Sequence, residues 1–128
     1  MTKLRETFIE NAKADHDFCA RFAKQKNGLD YIPWARMHQT VMAKYDGVST
    51  SHEVRHIGAT AEVEVTVQVI LGEECSQPVS ATLAVTDFKN KPITDPDTAA
   101  IQNTRQRAYA KALSMATSIG LSLWLGHI

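Results

Sequence analysis

The chain has 128 residues, 14 Lys/Arg balanced by 14 Asp/Glu, and 44% apolar content. That length supports one domain, residues 1–128, with a real core but not two, and the zero net charge argues against a generic nucleic-acid coat. No apolar run is long enough to span a membrane, and the opening Met1-Thr2-Lys3-Leu4-Arg5-Glu6 is charged at once, unlike a signal peptide, so a cytoplasmic protein without membrane partners is expected.

Residues 3 to about 26 read as a helix, with Leu4, Phe8, Ala12, Asp15, Phe18, Cys19, Phe22 and Ala23 at three- and four-residue steps and Asn27-Gly28 as the stop. Cys19 and Cys75 have neither pairing nor metal-ligand spacing and read as free thiols. Pro33 suits the first turn of a second helix that reaches about residue 45, and Asp46-Gly47 signals a turn. A weaker strand is expected at about 51–57. The clearest signal covers 62–71: Val63, Val65, Val67, Val69 and Leu71 share one face, with Glu62, Glu64, Thr66 and Gln68 on the other, the pattern of a half-buried antiparallel strand. Val79, Ala81, Leu83 and Val85 repeat the alternation after a turn at 72–78. A last helical stretch covers 97–120, with Asp95 as its cap, Pro96 at its first position and Gly120 as its stop. The fold class is therefore α+β: two N-terminal helices, then a three-stranded antiparallel meander covered by a long C-terminal helix packing through Ala108, Ala112, Met115 and Ile119.

Charge is segregated along the chain. Residues 1–57 carry net +2, 58–88 net −5 and 89–128 net +3, so an acidic middle separates two basic ends, a polarity that suits orienting a polyanion or meeting another copy's surface. On the last helix Arg107 and Lys111 stand four residues apart and share a face, with Arg105 nearby. Lys89, Asn90 and Lys91 form the loop tip before it, and Gln102 and Asn103 occupy its first turns. Fixed cations and amide donors of this kind suit phosphate contacts without catalytic geometry; a solvated helix edge with snorkelling side chains is the other reading. Tyr31, Trp34 and Trp124 are aromatics for the core or for base stacking, and the core is the commoner place. His52 and His56 lack a third ligand. No Walker-type loop, nucleophile elbow or His-Glu-x-x-His occurs, so no cofactor and no enzymatic activity are expected.

The segment Leu29-Asp30-Tyr31-Ile32-Pro33-Trp34-Ala35 with Lys44-Tyr45 resembles the N-terminal signature of a family of small phage single-strand annealing proteins. The blocks from Val85 through Asp87-Phe88-Lys89-Asn90-Lys91-Pro92 to Ile93, then Ile101-Gln102-Asn103, Arg107, Lys111 and Gly120-Leu121, continue the resemblance over about residues 29–126. The wider superfamily holds Redβ, RecT, Erf and the eukaryotic annealing protein of double-strand-break repair. The resemblance implies ATP-independent binding of single-stranded DNA and annealing of complementary strands in phage recombination, inside a bacterial host cell. It implies Arg107 and Lys111 at the DNA, homo-oligomeric rings or helical filaments, and a phage exonuclease or host single-strand-binding protein as partners. The chain departs from the pattern at Asp46, where proline is usual, and it reaches Gly126-His127-Ile128 without the acidic tail through which the host protein would be recruited. A double-stranded-RNA-binding module, which shares the order helix, three strands, helix, is the alternative.

Overall fold

The computed structural model describes residues 1–26 and 29–125, Leu29 by its backbone alone. The expected helix stop at Asn27-Gly28 and the terminal Gly126-His127-Ile128 lie outside the described residues. The protein is a mixed α+β structure with antiparallel sheets, as its pattern implies, but several details differ.

Helix α1 (Lys3–Phe22) starts where the Thr2 hydroxyl accepts the Arg5 N–H at 3.2 Å. It ends four residues earlier than expected, because Ala23 is already extended. Residues 24–26 instead form β1 (Lys24–Lys26), paired antiparallel with β2 (Leu29–Tyr31) in the register Lys24↔Tyr31. Ile32, which Pro33 biases towards extended backbone, separates this ribbon from the next helix. Helix α2 (Trp34–Lys44) then begins, with Pro33 as its N-cap rather than inside the first turn, and buries Met37 and Val41.

The main sheet has four strands rather than three. β3 (Gly47–Ile57) pairs along its whole length with β4 (Thr60–Leu71), from Gly47↔Ile70 to Ile57↔Thr60. The other edge of β4 carries β5 (Glu74–Cys75) and then β6 (Val79–Ala84). The expected third strand is β6, and the additional strand, β5, falls inside the expected turn at 72–78. Pro78 has no N–H to offer a ladder, and Ser76 satisfies both backbone groups of Val69, each bond being 2.9 Å. Ala61, Val63, Val65, Val67 and Val69 are buried while Glu62, Glu64, Thr66 and Gln68 face the opposite side. Each fully buried valine contributes about 1.5 kcal/mol or more, so this alternation fixes which face receives a helix.

That helix is α3 (Thr98–Thr117), followed by the short α4 (Leu121–Trp124). Its cap is Asp97, accepting the Ala100 N–H at 2.8 Å, and not Asp95. Asp95 has φ 50° and donates its N–H to the Ala59 carbonyl, so Pro96 stays outside the helix. The stop is also displaced: Ser118 takes the left-handed conformation at φ 69°, and Gly120, at φ 78°, leads into α4. Ala108, Ala112 and Ile119 are buried as expected, but Met115 is exposed. By that turn the buried stripe has passed to Leu113, Ser114 and Thr117, where α1 and α4 meet α3.

Polar side chains hold α1 in place. Asn11 donates to the Tyr45 hydroxyl and to the Thr117 carbonyl, each at 3.0 Å, and accepts from Lys44 at 2.8 Å. One turn on, the Asp15 carboxylate accepts the N–H groups of Gly120 and Ser122 and the Cys19 thiol. Burial, and after it the Asp15 charge, pushes that thiol up to about 11. The aromatics expected in the core are not there: Tyr31, Trp34 and Trp124 are 39–40% exposed. No described helix is long and apolar enough to cross a membrane.

Candidate nucleic-acid interface

Helix α3 positions most of the residues singled out in the sequence, and its geometry sorts them. Successive side chains advance about 100° around an α-helix. Asn103, Arg107 and Lys111, at four-residue steps, therefore form one ridge, on which Asn103 and Arg107 are exposed and Lys111 is half-buried. The Lys111 Nζ lies 5.4 Å from the centre of the Trp124 ring on α4, within reach of a cation–π contact. Trp124 is thus a prop for a cation as well as an exposed ring.

Arg105 projects about 200° from Arg107, so it leaves on another side of the helix. There it joins Gln102, Thr98 and Ile101 opposite His52 and Val54 of β3, around a small cleft of about 120 Å³. His52 and Val54 sit opposite Val65 and Val63 in the ladder, hence on the helix-covered face of the sheet. α3 leaves that margin open, and His52 is exposed. No spacing in the sequence links His52 to a partner; the register places it beside Arg105.

The third group is the loop between β6 and α3. A bridge between Thr86 and Pro92 closes it. The Asp87 carboxylate accepts the N–H of Lys89 at 2.8 Å and of Lys91 at 3.0 Å. The hydrogen bond from Lys91, more than any other contact, holds this carboxyl below its ordinary value. Asn90 takes φ 63°, a conformation that asparagine tolerates better than most residues. The loop is therefore a built turn that presents Lys89 and Lys91 outward. Its tip also carries Phe88, 72% exposed, with the Lys89 Nζ 5.7 Å from the ring centre. The order Asp-x-x-Asn was the available signal for this turn, but nothing in the sequence marked Phe88 as exposed.

A contrast in pairing runs across the sheet. Among the described residues every ion pair belongs to Arg55, which bonds Glu62 at 2.8 Å and approaches Glu64 at 3.4 Å and Glu53 at 3.5 Å. These lie on the face turned away from α3, so the acidic middle of the chain is partly neutralised there. The side-chain charges of Lys89, Lys91, Arg105, Arg107 and Lys111 form no ion pair among the described residues. The cations before and along α3 are available to an anion from outside.

A family model described as Sak Single Strand Annealing Protein matches residues 11–127. The chain belongs to that family. The match takes in everything from the middle of α1 through α4, so all three basic groups lie in the family's region. Searches of curated proteins and of solved structures found no match.

Proposed function

We propose that this member of the Sak family binds single-stranded DNA through its phosphates and anneals complementary strands without ATP, in phage recombination. The observation that carries the reading is the set of five cations on and before α3 that form no ion pair among the described residues, in a chain of an annealing family. The Asn103–Arg107–Lys111 ridge and the Lys89–Lys91 turn grip phosphates, with Arg105 and Gln102 contributing at the β3 margin. Phosphate contacts hold a strand without occupying its base edges, which leaves those edges free to test a second strand. Pairing and stacking of the bases then drive the product, so no nucleotide hydrolysis is needed.

One subunit of this size covers only a few nucleotides, and assembly into a ring or helical filament supplies the rest. β3 and β6 each have one edge without a partner strand among the described residues, and such edges are natural contact surfaces. A phage exonuclease is the protein partner of this reading. The test is a competition titration with single-stranded DNA, duplex DNA and duplex RNA. Preference for single-stranded DNA is expected, whereas preference for duplex RNA would favour an A-form-reading module instead.

A further inference from the structure

We infer that a cleft between α1 and α2 is a second phosphate-binding site, taking the backbone of the incoming strand while α3 and its loop hold the first. The inference rests on the annealing function proposed for the α3 cations. The cleft, about 520 Å³, is lined by Arg21, Phe22 and Lys24 from the end of α1 and from β1, and by Pro33, Arg36 and Gln39 from the start of α2. None of the α3 or loop cations lines it. Arg36 and Gln39 sit on the side of α2 away from the buried Met37 and Val41.

Its chemistry is that of an anion site. Three cations line it and no carboxylate does, and none of the three has an ion-pair partner among the described residues. Phe22 holds two of them in place: the guanidinium carbons of Arg36 and Arg21 lie 4.7 and 5.1 Å from its ring centre. Arg36 also donates one N–H to Gln39 at 3.1 Å, leaving most of its five donors for a ligand. Guanidinium forks match phosphate oxygens two at a time. α2 adds first-turn N–H groups, for Pro33 provides no side-chain cap and no acidic residue occupies that turn.

A strand fits this cleft better than the acidic face of another copy does. The carboxylates of that face, Glu53, Glu62 and Glu64, already converge on Arg55. Annealing also brings two polyanions together, until the duplex carries a charge every ~1.7 Å of its axis. Cations that serve the first strand are saturated before the second arrives, so the second backbone needs others.

The test uses the full chain, saturated with a dye-labelled oligonucleotide, then mixed in a stopped-flow with the quencher-labelled complement. R21Q/R36Q should slow annealing by about tenfold, because it removes two charge-assisted phosphate donors, while first-strand affinity measured by anisotropy stays within about twofold. The salt dependence of the annealing step should weaken by about 1.4 in slope, at 0.7 per phosphate. K24Q changes an exposed residue of β1 and carries the test if the double variant fails to fold; half that slope change, about 0.7, is expected of it. Unchanged annealing overturns the inference. An equal loss of first-strand affinity overturns it as well, since the cleft would then belong to one continuous path. A smaller particle in mass photometry for R21Q/R36Q assigns the cleft to a contact between copies and equally overturns it. The α3 reading fails separately, if R107A/K111A binds the first strand as well as the unaltered chain does.

Discussion

Replacing Asp15 with alanine should unfasten α1 from the rest of the molecule. The Asp15 carboxylate, 4% exposed, accepts the Ser122 N–H at 2.7 Å together with the Gly120 N–H and the Cys19 thiol. Alanine leaves two backbone donors without an acceptor at the entry to α4. Each such donor costs about 1–3 kcal/mol when buried. The Gly120 N–H is buried and the Ser122 N–H partly so, and the thiol is a weak donor, which puts the total at about 3 kcal/mol. Domains of this kind are stable by only about 5–15 kcal/mol, so the loss is large. With a urea m-value of about 1.5 kcal/mol/M, the midpoint should fall by about 2 M. Asp17→Ala, on an exposed turn of the same helix, is the control and should leave the midpoint unchanged. The effect reaches function, since α4 carries the Trp124 ring against which Lys111 rests. Single-strand affinity of Asp15→Ala should drop even in conditions where the protein remains folded. A midpoint shift no larger than that of Asp17→Ala would refute the assignment of Asp15 as the fastening.

Arg107→Ala and Lys111→Ala should each lower the salt slope of single-strand binding by about 0.7, one phosphate contact apiece, with circular dichroism unchanged, whereas Lys3→Ala, in the first turn of α1, should leave the slope alone. Asp87 has a depressed carboxyl value in the folded loop, so the order it gives the Lys89–Lys91 turn is complete at neutral pH and is lost only as pH falls through that depressed value. The Lys91 amide resonance should therefore titrate with a midpoint below that of an ordinary carboxylate; a midpoint at or above it contradicts the turn. Mass photometry should find particles larger than a dimer once oligonucleotide is bound, and a strict monomer in both states rules out the ring or filament.

The sheet was legible because valines at alternate positions of β4 leave little choice of period or face. The helix on it was legible for the same reason: Ala108 and Ala112 at four-residue spacing predict close approach to a flat surface, and both are buried. What escaped were places where two local signals competed. Asp95 and Asp97 both suit a cap, and only the Asp95–Ala59 contact, long-range in sequence, decides between them. Lys24-Gln25-Lys26 has no apolar alternation to announce a strand, and its partner strand is only three residues long. The docking of α1 was hidden in part because Asn11, among its most buried residues, is one that hydrophobic periodicity treats as surface, although Asp15 and Cys19 do fall on the expected stripe. Within the candidate site, Arg107 and Lys111 do share a ridge, as their spacing requires. Arg105 parts from them for the same helical reason, and its neighbour His52 comes from a strand whose register the sequence does not reveal. The Arg21–Lys24–Arg36 cleft was invisible, since its cations lie in three separate elements.

Annealing without ATP is open to a direct check: a dye- and quencher-labelled pair of complementary oligonucleotides, mixed with the protein in EDTA and with no nucleotide present. Quenching should be much faster than in protein-free controls, and the acceleration should vanish in R107A/K111A. Quenching at the protein-free rate with saturating, folded protein would contradict the proposed function.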